Sequence, residues 1–417
     1  MQDAVLKALC DQVQHAYESK TGLNIQGSGS KAFLCQTAGS KVHPEASPND
    51  KLDTVYNETV DTPYNETVDT PYKETLDTPY KETLDTTIYQ GIVQYEPTEL
   101  VITAKAGTPI SEVEQALDEQ GQMLAFEPPQ LGENELVTVG SVGGTIGGMV
   151  ASGLAGPRRP WSGGVRDYVL GTSIINGRGE HLRFGGQVMK NVAGYDVSRL
   201  MVGSLGSLGV LADISLKVLP KPACQQFYRF ESTLTDLFVM LQQVSIKMTP
   251  ITGVSHDGCY AHVRLEGRQK TLAQFARVQN WIFEERHQEE LKQYWLQVRH
   301  HQHAVFRDEG PRGEGEGDNA IWQLSLPKWS ALSSAKLASL NSPFLMDWAG
   351  ARYWLKADMS HFEQLKEYVQ SLKGHLRVYR GDQAIQYPAL SPAILKLHQN
   401  LKQAYDPAGI LNPLSVY

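Results

Sequence analysis

Cysteine is scarce in this chain: Cys10, Cys35, Cys224 and Cys259 are the four among 417 residues, with no C-x-x-C pair and no spacing suited to zinc or an iron–sulfur cluster. They read as reduced thiols, and in a reducing compartment the N-x-T triplets at Asn57 and Asn65 lose their meaning as glycosylation sites. A basic excess is missing too. With 38 Lys and Arg against 46 Asp and Glu the formal net charge is -8, so no nucleic-acid partner is expected. The opening MQDAVLKALCDQVQHAYESK lacks the basic segment and apolar core of an export signal, which predicts a cytoplasmic protein. No charge-free run suits a membrane. The nearest, Leu136 to Pro157, holds seven glycines, each costing a helix about 1 kcal/mol relative to alanine. Close backbone approach to a ligand accounts for them better than a membrane span.

A chain of this length predicts two or three packed units, and 41% hydrophobic with 20% charged residues is ordinary for a globular protein. Val5, Leu6, Leu9, Val13 and Tyr17 form an apolar stripe that predicts a helix over Ala4 to Ser19. Further on, a strand over Leu100 to Ala104, a helix capped by Thr108 or Ser111 and ending near Gly121, and a strand over Met123 to Phe126 give a mixed αβ rhythm. The strand VLADISLKVLP closes at Pro220, after which glycine thins out and long helical patterns predict a second domain. Gly310 to Asp318 reads as an exposed loop.

Three glycine-rich segments carry the chemical signal. In IQGSGSKAF (Ile25 to Phe33) the consecutive N–H groups of Gly27, Ser28, Gly29 and Ser30 suit an anion-binding nest. The motif is neither the P-loop nor the Rossmann G-x-G-x-x-G, which disfavours a nicotinamide cofactor. The second segment runs from Thr138 to Gly171 and the third, MKNVAGYDVSRLMVGSLGSLGVL, from Met189 to Leu211.

Together these segments resemble the flavin-binding signatures of the vanillyl-alcohol oxidase (PCMH) type. GLAGPRRPWSGGVRDYVLGTSIINGRGEHLRFGGQVMKNVAGYDVSRL and the ending YDPAGILNPLSVY closely resemble the glycolate oxidase FAD-binding subunit family. The resemblance implies an α+β fold: a two-subdomain FAD-binding domain over residues 1–221, a smaller α+β cap or substrate domain over 222–380, and a segment 381–417 that returns to the FAD domain. It also implies that Gly27, Ser28, Gly29 and Ser30 hold the FAD pyrophosphate through their N–H groups. Gly143, Thr145, Ile146, Gly147, Gly148, Ser152 and Gly153 become contacts to the diphosphate and ring, with Gly164 and Asp167 in support. Lys190, Asn191, Gly194 and Tyr195 precede the third turn, and Gly209, Val210 and Ile214 are expected beside the cofactor. Leu205 stands where the family has an acid. No histidine lies between Ile25 and Phe33, so the FAD is expected to be non-covalent.

The implied function is oxidation of glycolate, a small 2-hydroxy acid, to glyoxylate by an assembly in which a second flavin subunit and an iron–sulfur subunit complete the electron path. One alternative is a self-sufficient FAD-dependent dehydrogenase of the D-lactate type; another is a repeat-mediated binding protein on a flavin fold. No catalytic residue is assigned. The segment HDGCYAH (His256 to His262) departs from the H-x-G-D-G-N-x-H pattern of related catalytic subunits and reads as a strand histidine pair, and HHQH (His300 to His303) as exposed histidines at a helix end. No metal is expected. Arg158 and Arg159 are each readable as an anion partner or a salt-bridge former. Arg352, Arg377 and Arg380 are expected on the flavin-facing side of the second domain.

Between these parts stands YNETVDTPYNETVDTPYKETLDTPYKETLDTT (Tyr56 to Thr87), four near-copies of one phrase. Eight-residue units with Pro63, Pro71 and Pro79 at their joints are too short and polar to bury a core of their own. The last copy, Glu82 to Thr86, is expected to be a strand of the fold, and residues 54–81 a tandem insertion in a loop. Deleting residues 56–79 in frame is expected to leave FAD content unchanged in the purified protein, and loss of flavin or of solubility would show that the repeat is structural.

Overall fold

The structure, a computed structural model, describes residues 3–31, 34, 82–131, 143–186, 196–244, 249–307, 319–327, 332, 342–380 and 390–412. The first three repeat copies, the loop expected at 310–318 and Asn191 with its neighbours Lys190, Gly194 and Tyr195 lie outside these residues.

Helix α1 (Ala4–Ser19) forms where its periodicity predicts, started by Asp3, whose carboxylate accepts from Val5 N at 3.0 Å. Its buried Leu6, Leu9 and Val13 cover a parallel pair, β1 (Leu23–Gln26) and β2 (Glu82–Asp85), in which Ile25 stands opposite Leu84. β2 is the strand expected from the last repeat copy, and Leu84 is fully buried.

Next come β3 (Ile92–Glu96), β4 (Val101–Lys105), α2 (Ile110–Asp118), β5 (Gln122–Met123), α3 (Ile146–Ser152) and α4 (Arg159–Ser162). They are followed by β6 (Val169–Ile175), β7 (His181–Gly185), α5 (Val197–Leu200), β8 (Val210–Lys217) and β9 (Leu219–Pro220). Antiparallel pairing builds a five-stranded sheet in the order β3-β4-β8-β6-β7, with β5 and β9 paired beside it. α2 and α3 pack Ile110, Val113, Leu117, Ile146 and Met149 onto Ile102, Ile174, Ile214 and Leu216. Neither expected cap of α2 is used. Thr108 Oγ1 instead accepts from Gly91 N at 2.9 Å and donates to Gly91 O, while Ser111 lies inside the helix behind Pro109. The strand expected over 123–126 stops at Met123, because Glu127, at φ 50°, closes a turn whose N–H reaches Leu124 O.

Beyond Pro220 the chain enters a second sheet. Its elements are β10 (Cys224–Glu231), α6 (Leu234–Gln243), β11 (Ile251–His256), β12 (Tyr260–Gly267), α7 (Gln269–Val278) and α8 (Gln288–Arg299). β13 (Asn319–Ser325), β14 (Phe344–Asp347), β15 (Arg352–Asp358), α9 (Phe362–Ser371), β16 (His375–Arg380) and α10 (Pro392–Tyr405) complete it. Among the described residues the sheet has seven antiparallel strands in the order β10-β12-β11-β14-β15-β13-β16. Strand alternation sorts its side chains: Val263, Leu265, Trp322, Leu324, Tyr353, Leu355 and Val378 pack with α6, α7 and α9. Arg264, Glu266, Ile321, Trp354 and Tyr379 take the opposite face, toward α8 and the first unit. After α10 the chain returns to β1, where Leu23 N donates to Ile410 O at 2.7 Å.

Candidate functional site

The first glycine loop leaves β1 at Gly27 and lies against the turn that starts α3. A Cβ at Gly27 would stand 2.7 Å from Thr145 Oγ1, and one at Gly144 would stand 2.7 Å from Lys31 Nζ. Gly29 and Gly144 have φ of +77° and +138°, in the range that favours glycine. The missing side chains at Gly27 and Gly144 leave room for the side chains of Thr145 and Lys31 where the loop and the turn pack together. Among the described residues, none of the N–H groups of Gly27, Ser28, Gly29 and Ser30 finds a protein acceptor. Lys31 folds into the same junction, where its ammonium reaches Ser30 Oγ at 3.3 Å and forms no ion pair with a described acid. Burial alone lowers its pKa to about 8. Among the described residues these four donors and the ammonium meet no acid, an arrangement that suits an anion.

The second segment contributes less than its glycines suggest. Thr145 caps α3, accepting from Gly148 N at 3.2 Å, but Ile146 N donates to Thr108 O at 2.9 Å and Gly147 N to Ala106 O at 2.7 Å. Those three donors are occupied. The bare face of Gly147 meets Ala106, where a Cβ would stand 2.8 Å from the alanine methyl, and the Ile146 side chain is core. Gly143 is buried ahead of the turn, Ser152 Oγ donates to Met149 O, and Gly153, at φ 64°, ends the helix. Gly209 packs on Ile174, while Val210 and Ile214 point into hydrophobic core. Asp167 accepts from Gly164 N at 2.8 Å and faces a separate depression of about 270 Å³ with Arg159 and Trp348.

A layer of buried charge joins the second sheet to the segment after α3. Glu127 accepts from Arg264 Nη1 at 2.8 Å and from Arg158 Nη2 at 3.2 Å, while Arg158 also donates to Glu266 at 2.8 Å. Burial alone would raise the Glu127 carboxyl, yet Arg264 and then Arg158 hold it down at about 2. Trp348 Nε1 donates to Gly156 O at 2.9 Å and Arg352 Nη1 to Ala155 O at 3.0 Å, with Arg352 also paired to Asp347. The guanidinium carbons of Arg159 and Arg352 lie 4.3 and 3.7 Å from the Trp348 ring centroid. Beside this layer runs a cavity of about 670 Å³ lined in part by Glu127, Arg158, Arg264, Trp295 and Arg299.

The histidines are structural in different ways. His262 Nε2 bonds Asp257 at 2.8 Å, and His256 bonds Ser232 O and accepts from Gly258 N, the strand pair expected from the sequence. His300 and His301 correct the expectation of exposure: both are buried. His300 Nδ1 accepts from Gln130 N, and burial lowers its pKa to about 3. His301 Nδ1 shares a hydrogen bond with Tyr379 OH at 2.9 Å and stacks on Phe306.

A family described as FAD binding domain matches residues 80–185. A solved alkyldihydroxyacetonephosphate synthase shares the fold at a TM-score of 0.60, covering 98% of this chain and 75% of that one at 14% identity. The protein is an FAD-linked oxidoreductase of the vanillyl-alcohol oxidase type. More particularly, it belongs to the family of glycolate oxidase subunit GlcE, being 39% identical to that subunit of Escherichia coli (strain K12) over 99% of this chain and 97% of the other. Glycolate oxidase subunit GlcD of Bacillus subtilis (strain 168) is 33% identical over 31% of this chain and 26% of its own length. A D-lactate dehydrogenase of Anaerostipes hadrus is 32% identical over 31% and 25%.

The residues present fit that cofactor, since a diphosphate needs backbone donors and a cation where two glycine turns converge. Reasoning from sequence passed over Lys31, although a lone lysine closing a Gly-Ser loop was the available signal. The Glu127 layer gave no local signal, because its members come from three separate segments of the chain. Glu127→Ala, which leaves Glu266 as the one carboxylate bonded to two buried guanidiniums, is expected to cost about 3 kcal/mol in urea unfolding at neutral pH. Because the folded carboxyl titrates near 2 rather than at its ordinary 4.5, the Glu127 contribution is complete above the ordinary value and fades as pH falls toward 2.

Proposed function

We propose that this chain is the FAD-binding subunit of a glycolate-oxidising assembly and works with a second flavin subunit and an iron–sulfur subunit. Similarity to GlcE along nearly the whole chain supports this reading over a self-sufficient D-lactate-type enzyme, whose match covers 31% of the chain. The observation that carries the cofactor assignment is the junction of unspent N–H donors and the Lys31 ammonium between two glycine turns.

On this reading residues 1–221 are the FAD-binding domain, 222–380 the cap and 381–417 the returning segment. Gly27 to Ser30 hold the diphosphate, with Gly143 and Thr145 across from them, and Lys31 neutralises part of its charge. Ile146, Gly147, Gly148, Gly209, Val210 and Ile214 support the walls through packing, and Gly153 shapes the exit of α3. When bound, FAD supplies a ring able to take up a hydride equivalent from a small 2-hydroxy acid. Trp348 and Arg352 tie the cap to Ala155 and Gly156 and keep water from that wall of the site. Ser30 stands in a loop without histidine, so the cofactor is held non-covalently. No helix among the described residues is long and apolar enough to cross a membrane, and we place the assembly in the cytoplasm, with any membrane contact made by partner subunits.

Isolation from the native cell is expected to yield FAD that acid precipitation releases, together with a second flavoprotein and an iron–sulfur protein. Full glycolate-dependent dye reduction by this chain alone would overturn the accessory role. Lys31→Met tests the cofactor site. The free ammonium titrates near 8, and an adjacent diphosphate favours its charged form, so wild-type FAD affinity should fall above about pH 8, by up to tenfold per pH unit. The variant should bind more weakly near pH 7 and lose that dependence, as read by quenching of FAD fluorescence.

A further inference from the structure

The C-terminal turn after α10 reaches two glycine segments at once, and a single side chain makes both contacts. Asn412 Oδ1 accepts from Ile25 N at 2.7 Å, two residues before Gly27, and its Nδ2 donates to Leu205 O at 2.6 Å in the third segment. Its backbone N–H donates to Leu23 O at 3.1 Å, so the residue also extends the end of β1. A Cβ at Gly206 would lie 2.7 Å from Asn412 Nδ2 and 3.4 Å from Ile25 Cδ1, leaving no room for a larger residue. Leu205 itself is held at φ 52°, a left-handed conformation leucine rarely adopts, and its carbonyl is the one Asn412 grips.

The turn presenting Asn412 is rigid. Asp406 accepts from Ile410 N at 3.1 Å and Leu411 N at 2.8 Å, and the buried Lys402 ammonium reaches Asp406, Ser207 O and Leu411 O at 2.6 to 2.7 Å. Lys402 thus fastens the same third segment one residue beyond Gly206. Two of its side-chain bonds, from Asn412 Nδ2 to Leu205 O and from Lys402 Nζ to Ser207 O, go to the backbone on either side of Gly206.

We propose that Asn412 is a positioning residue for FAD: it sets the spacing between the first loop and the Leu205–Ser207 turn, and so the aim of the Gly27–Ser30 donors. The inference rests on the reading that these donors hold the diphosphate. It gives the terminal D-P-x-G-I-L-N sequence a role at the cofactor site although the segment lies more than three hundred residues from the loop it steadies. It also gives Leu205 a role through its carbonyl, without the side-chain acid that stands there in the family.

The test measures FAD dissociation constants for the full chain carrying Asn412→Ala, Asn412→Asp or Gly27→Val, with apoprotein melting and the visible circular dichroism of the bound flavin. Removing both side-chain bonds in N412A should weaken FAD binding about tenfold, leave apoprotein melting close to wild type and alter the dichroism at saturating FAD. N412D keeps the acceptor for Ile25 and loses the donor to Leu205, so an intermediate affinity is expected; it carries the test if N412A does not fold. Lowered melting with unchanged affinity in the N412 variants would mean a merely structural residue and overturn the proposal. Weakened binding in G27V alone would sink the positioning role while sparing the site assignment, and G27V binding like wild type would sink the assignment itself.

Discussion

The packing of the first glycine loop against Thr145, at the turn that starts α3, is the constraint on which the candidate site depends. A side chain at Gly27 would collide with Thr145, and among the described residues the N–H groups of Gly27 to Ser30 meet no protein acceptor. These residues are half-buried, so their N–H groups stay within reach of water in the free protein, and a bound anion would gather several of them together with the Lys31 ammonium. On the proposed reading, FAD bound at this junction stabilises the fold by mass action.

The remaining architecture keeps that packing in register. α1 presses β1 onto β2, the C-terminal turn holds the end of β1, and the second sheet is locked to the far side of α3 through Trp348, Arg352 and the Glu127 layer. Buried ion pairs contribute little net stability, because desolvation offsets their attraction. Their geometric demand is the more useful property here: Glu127 accepts from guanidiniums on both sides of the interface, and one relative placement of the two sheets satisfies all three groups.

Much of the local structure was legible. The stripe in Ala4–Ser19 made a helix, and the last repeat copy supplied a strand because Leu84 is its one aliphatic residue and becomes fully buried opposite Ile25. The glycine loop at Gly27–Ser30 could be proposed as a nest from sequence alone because N–H direction there depends on local backbone conformation. Elsewhere sequence-local reasoning failed for a common cause. Thr108 reads as a helix cap until Gly91 arrives from another strand, and the donors of Ile146 and Gly147 look free until Thr108 and Ala106 accept from them. His300 and His301 looked exposed at a charged helix end, but that end docks against Gln130 on one side and Tyr379 on the other.

By itself, then, the sequence determined the periodic elements, the glycine turns and the family of cofactor site, since these depend on backbone freedom and on the spacing of apolar residues along one segment. Tertiary structure alone decided that the donors of Ile146 and Gly147 serve packing, because that depends on which acceptors reach each N–H from distant strands. It also decided the company of Lys31 and the reach of Asn412. Asn412 acquires its contacts only when segments hundreds of residues apart are brought within hydrogen-bonding distance.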